Sequence, residues 1–184
     1  NPEANYQLFA AVRRFSYLPL YCYHFEKWIK NGDSILEYGC GIAPISYSLL
    51  NYSLKKNLDI TIADIQQINS HFAKWRMEEK VSFLNIKPYG NCLNKKKLYD
   101  VVFMITVMEH LPNPIETVKN IINNLKPNGI FVFDYILSEG SGLDTREAVD
   151  KRKEVLDYIS SKYNLISGKF DAKMSMDITV CKLK

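Results

Sequence analysis

The chain has 184 residues, 47% of them hydrophobic and 24% charged, with a formal net charge of +4. That length and apolar content suit one ordinary globular domain with its own core, while so mild a charge does not by itself argue for nucleic acid. No apolar run reaches the length of a membrane span. Cys22, Cys40, Cys92 and Cys181 are scattered, with no Cys-x-x-Cys pair and no Cys/His cluster at metal-ligand spacing. Reduced thiols in a cytoplasmic protein are therefore expected, and the first residues carry no signal-peptide pattern.

Residues 3–30 read as helical and aromatic-rich (Tyr6, Phe9, Phe15, Tyr17, Tyr21, Tyr23, Phe25, Trp28), with Pro19 dividing the segment in two. Asn31-Gly32-Asp33 signals a turn. A strand–helix alternation follows. Strands are predicted at 34–38, 59–63, 81–84, 100–105, 129–136, 163–170 and 177–183, and helices at 44–52, 66–79, 114–125 and 145–160. This order predicts an α/β fold: a doubly wound, mostly parallel seven-stranded sheet with helices on both faces. The last two strands, with no helix between them, predict a C-terminal antiparallel hairpin. Val101-Val102-Phe103-Met104-Ile105 is apolar throughout, as a central strand covered on both sides should be.

In an open parallel sheet the ligand lies beyond the C-terminal ends of the strands. Gly39 and Gly41 follow the first strand, and glycines there let the backbone turn tightly and approach a ligand. Pro44 suits the first turn of the next helix. Glu37, two residues before Gly39, would repel a pyrophosphate at this turn. A cofactor without phosphate and with a free ammonium group, such as S-adenosylmethionine, would welcome it. Asp64 follows the second strand, 25 residues beyond Gly39, close to the roughly 20 expected of an acid that accepts both ribose hydroxyl protons.

Four segments in order, ILEYGCGIAPIS, ITIADI, YDVVFMITVMEHLPNP and LKPNGIFVFDYI, together resemble the class I S-adenosylmethionine-dependent methyltransferases of seven-strand form. The last two segments are similar to the small-molecule enzymes of quinone-biosynthesis type. The resemblance covers roughly residues 34–137. It implies a cofactor-binding core there, an N-terminal helical lid over 1–33, and a C-terminal helix and hairpin over 138–184, all in one domain. It places Glu37, Gly39, Cys40 and Gly41 at the methionine end of the cofactor, Asp64 on the ribose, Ile65 on the adenine, and Ile105 and Thr106 beside the reactive methyl. The family's acid after strand three is absent, leaving Asn85 or a backbone carbonyl as the acceptor for the adenine amino group. Some relatives hold a divalent ion with Glu-x-x-Glu-His. Here Thr106 takes the first position and only Glu109 and His110 remain, so no metal is expected.

What the resemblance implies is direct displacement of the sulfonium methyl by an oxygen, nitrogen or carbon of a small-molecule acceptor, in a monomer or homodimer without membrane or nucleic acid. There is no Asp/Asn-Pro-Pro-Tyr and no Pro-Cys after strand four, the signatures of amide-nitrogen and cysteine-nucleophile chemistry. His110 is the candidate general base, since imidazole titrates near neutrality; alternatively it orients its loop or caps the following helix. Tyr6, Tyr17 and Tyr21 are candidate acceptor contacts from the lid, or ordinary helix packing. Tyr135 is a candidate substrate contact or a core residue. Cys40 reads as a small filler, and Lys95-Lys96-Lys97 as a solvated loop. Three rivals remain: a nicotinamide oxidoreductase, disfavoured by Glu37 and by Pro44 at the third glycine position; a non-catalytic cofactor-binding partner; and a methyltransferase acting on RNA or protein.

Overall fold

The computed structural model describes residues 9, 12–13, 16–88, 93, 97–137, 139–140 and 143–184. Seven strands form one sheet in the order β3-β2-β1-β4-β5-β7-β6. They are β1 (Ser34–Tyr38), β2 (Asp59–Asp64), β3 (Ser82–Asn85), β4 (Tyr99–Met104), β5 (Leu125–Tyr135), β6 (Tyr163–Ser167) and β7 (Met176–Leu183). β1 pairs in parallel with β2 and β4, β2 with β3, and β4 with β5. β7 inserts antiparallel between β5 and β6, which gives the predicted terminal hairpin.

Period-two alternation divides the core between the two faces of the sheet. Leu36, Val102, Phe131 and Phe133 face one side, where they meet Val118 and Ile121 of helix α4 (Pro114–Asn123) and Val155 and Ile159 of α6 (Arg152–Lys162). Ile35, Ile60, Val101, Phe103 and Val132 face the other. There α1 (Leu18–Phe25) lays Phe25 against Phe103 with ring centroids 4.9 Å apart. Beside it α2 (Pro44–Tyr52) buries Ile45 and Leu49, and α3 (Ile68–Met77) buries Ala73 and Met77.

The boundaries differ from the sequence reading where side chains intervene. Pro19 opens α1. α3 is shorter than 66–79 because Gln67 and Ser70 form a reciprocal capping box at its start. β5 begins at Leu125, with Tyr99 paired to Leu125 and the next pair, Val101 to Ile130, displaced across an irregularity. The Lys126-Pro127-Asn128-Gly129 stretch, mostly ahead of the strand predicted from 129, thus lies inside it. The helix predicted over 145–160 is two, α5 (Arg146–Asp150) and α6, broken at Lys151. Most of the predicted first helix, including Tyr6, lies outside the described residues, as do Cys92, Lys95 and Lys96.

Candidate active site

The turn after β1 is shaped by what surrounds it. Gly39 takes φ +67, and a Cβ on it would lie 2.4 Å from Val107 Cγ2, so only glycine fits there. Its N–H and that of Cys40 donate to Ala63 O at 2.8 and 3.1 Å, tying the turn to the end of β2. Glu37 is buried, and its carboxylate accepts from the backbone N–H groups of Ile45 at 3.3 Å and Ser46 at 2.7 Å. These are amides at the start of α2 that lack partners within the helix, and a carboxylate is stabilised there by the helix dipole. On the outer side, the Arg76 guanidinium stacks 4.0 Å from the Tyr47 ring and donates to Ile42 O.

Asp64, at the end of β2, is also buried. Its carboxylate accepts from Gly41 N at 2.5 Å, Ile65 N at 2.7 Å and Gln67 Nε2 at 3.1 Å. Burial pushes the carboxyl above its ordinary value, and the hydrogen bonds from Gly41, Ile65 and Gln67 oppose that rise. Burial, reinforced by the charges of Glu37 and Asp64, pushes the Cys40 thiol up strongly. It stays protonated and fills space rather than attacking a substrate.

The segment after β4 carries strain. Thr106 sits at φ +54, an outlier for a β-branched residue. Its N–H donates to Asp134 Oδ1 at 2.6 Å and its hydroxyl to Ile105 O at 2.7 Å, which hold it there. Strain of this kind gathers at functional positions. His110, in the 3-10 turn Met108–His110 that follows, is exposed at the cleft wall.

Two cavities open beyond these strand ends. The larger, about 360 Å³, is walled by Gly39 and Gly41 after β1, by Asp64 and Ile65 at the end of β2, and by Thr106 and His110 after β4. The smaller, about 50 Å³, is lined by Tyr21, Glu37, Gly39, Cys40, Ile105 and Thr106. Tyr38, Gly39 and Thr106 line both, so the two are adjacent there. The larger volume falls within the range of small-molecule sites, roughly 300–1,000 Å³. Among the described residues, no group of three or more His, Cys, Asp or Glu side chains is placed to hold a metal ion.

Three expected contacts lie elsewhere. Asn85 is exposed and outside the cleft, whereas Ile86 lines it; neighbours on an extended chain point to opposite sides. Tyr135 is buried in the core with its hydroxyl donating to Ala148 O at 2.5 Å and its ring 4.3 Å from the Arg152 guanidinium, so it is a packing residue rather than a substrate contact. Tyr17 is exposed ahead of α1 and lines neither cavity. Sequence reasoning missed Tyr38, Ile86, Val107 and Leu143 as wall residues. The first three adjoin segments already singled out, whereas Leu143 comes from the loop before α5 and carried no signal.

The family profile described as a methyltransferase domain matches residues 3–167. The ubiquinone biosynthesis O-methyltransferase of Rickettsia akari (strain Hartford) is 31% identical over 103 residues, which cover 55% of this chain and 39% of the relative. The chain thus spans about two-fifths of the length of that curated relative. A S-adenosylmethionine-dependent methyltransferase from Aquifex aeolicus superposes with a TM-score of 0.63 at 15% identity, covering 92% of this chain and 93% of that one. The N-methyltransferase NodS from Bradyrhizobium japonicum WM9, in complex with S-adenosylhomocysteine, also gives 0.63 at 14% identity, covering 95% and 87%. By its profile match and its strand order, the chain belongs to the methyltransferase-domain family and has the class I S-adenosylmethionine-dependent methyltransferase fold.

Proposed function

We propose that this chain is a S-adenosylmethionine-dependent methyltransferase that methylates a small-molecule acceptor by direct displacement. The observation that carries the reading is the pair of adjacent cavities that share Gly39 and Thr106 in their walls. The donor set fits the cofactor. An ionised carboxylate offers about four acceptor positions, so Asp64, in the wall of the larger cavity with three hydrogen bonds from the protein, keeps one position for a ribose hydroxyl. Ile65 and Ile86 supply apolar surface for the adenine. The smaller cavity, with Glu37 in its wall, suits the amino-acid end and its ammonium group. The cofactor supplies a methyl group made electrophilic by its sulfonium.

The protein's own part is alignment, exclusion of water and removal of an acceptor proton. Ile42, Leu111, Pro112 and Leu143 give the large cleft an apolar wall, and His110 is the base at its edge. The relatives named as O-methyltransferases support an oxygen acceptor. A dinucleotide is disfavoured by a specific contact. Its pyrophosphate would need the amides at the start of α2, and Glu37 takes those of Ile45 and Ser46.

The test is transfer of a tritiated methyl group from the cofactor to pooled small phenols and amines, to total RNA and to bulk protein, side by side. Label should enter the small molecules and be lost in Asp64→Ala. Label confined to RNA or protein would contradict the proposed acceptor class.

A further inference from the structure

The loop before α5 is fastened to the turn after β4 although more than thirty residues separate them in sequence. Thr145 N–H donates to Glu109 O at 2.9 Å and Thr145 Oγ1 to Leu111 O at 2.7 Å. The same hydroxyl oxygen accepts from Ala148 N at 3.1 Å, capping α5. Between these anchors lies His110. Its Nδ1 stands 2.8 Å from Asp144 Oδ1 and 3.2 Å from Leu143 O.

We infer that Asp144 is a positioning residue for His110, fixing the imidazole as the Nδ1–H tautomer so that Nε2 is the proton acceptor in methyl transfer. The inference rests on the methyltransferase reading above. A backbone carbonyl and a carboxylate both only accept, so Nδ1 must carry the hydrogen, and the hydrogen bond at one ring nitrogen decides the state of the other. Nε2 lies 3.8 Å from Glu109 Oε1, beyond hydrogen-bond reach, which leaves its lone pair available. The charged groups around the ring are Asp144 and Glu109, with Lys87 in the wall of the same cleft. Glu109 is buried beside Arg152, whose guanidinium offsets its charge.

In the reaction the acceptor O–H or N–H gives its proton to Nε2. The acceptor atom bonds to the methyl carbon as the carbon–sulfur bond breaks, and that bonding pair stays on sulfur. The imidazolium, held against Asp144, then releases the proton to water. The acceptor must therefore carry an ionisable proton on the atom that is methylated, which excludes a tertiary amine.

The tautomer is directly readable by nitrogen NMR of the protein labelled with ¹⁵N-histidine. His24, His71 and His110 are the three histidines, and His110→Gln assigns the relevant signals. Above the ring's titration, wild-type His110 should show a protonated Nδ1 and an unprotonated Nε2. In Asp144→Asn the amide can donate to Nδ1, and the tautomer should shift toward Nε2–H. For any acceptor that turns over, Asp144→Asn should lower kcat about 10²-fold or more, with cofactor affinity within about twofold. A wild-type Nε2–H tautomer, with cofactor binding intact, overturns the assignment of Asp144 while leaving the methyltransferase reading standing. Absence of cofactor binding by the wild type overturns the reading beneath it.

Discussion

Asp64 shows how a buried carboxyl proposed to bind the cofactor opposes stability. Because burial raises its carboxyl in the folded state, the fold binds that proton more tightly than the unfolded chain does. The contribution of Asp64 to stability is then fully present below the ordinary aspartate range and falls as pH rises through the raised folded value. The stability of the wild type relative to Asp64→Asn should accordingly decline from about pH 4 upward, as read from urea midpoints of both proteins across pH. A difference that grows with pH would show that the three hydrogen bonds outweigh burial. Thr106 tells a similar story in the backbone. Holding a β-branched residue at φ +54 costs about 1–3 kcal/mol, so Thr106→Gly should raise the unfolding free energy by about 1 kcal/mol while impairing methyl transfer. Loss of stability in that variant would mean the strain is already relieved by the contacts of Thr106 with Asp134 and Ile105.

At the scale of elements, β1 and α2 act as one unit through Glu37. A strand side chain here serves as the cap of the following helix, accepting from Ile45 and Ser46. Glu37→Gln keeps the shape but loses the charge and turns one acceptor into a donor facing a backbone amide. It should cost about 1–2 kcal/mol, or roughly 2–8 °C in Tm at this chain length; an unchanged Tm would remove the capping role. The strand–helix alternation was legible because central strands are apolar throughout and helices carry their own start signals at Pro44 and Pro114. Glu37, Gly39, Asp64 and Thr106 were legible as residues of the strand ends that wall the two cavities, because each ends or follows a strand. Glu37's bond to α2 was not, since that contact spans the turn and needs the fold. Asn85 and Tyr135 failed for the same reason in opposite senses: sequence locates a strand end within a residue or so, but that residue decides which face a side chain takes.

At the scale of the molecule, the strand order reverses between β1 and β4, and both cavities lie beyond the C-terminal ends of these strands and their neighbours. This is where doubly wound sheets bind their ligands. The two halves of the core, one on each face, support that edge, and backbone groups hold the side chains there: Gly41 N in the turn after β1 holds Asp64, Ser46 N of α2 holds Glu37, and Leu143 O in the loop before α5 holds His110. Leu143, Asp144 and Thr145 could not be found from sequence, because the approach of their loop to the turn after β4 is a tertiary contact without a local pattern. Among the described residues no helix is long and apolar enough to cross a membrane.

The central claim is that the cleft bounded by Gly39, Asp64 and Thr106 takes S-adenosylmethionine. The most direct test is calorimetric titration of the wild type and Asp64→Ala with S-adenosylmethionine, S-adenosylhomocysteine and NADH. The account predicts binding of the first two at micromolar Kd, a loss of at least about tenfold in Asp64→Ala, corresponding to 1.4 kcal/mol or more, and no binding of NADH. Binding of NADH alone, or S-adenosylmethionine binding indifferent to Asp64, would contradict it.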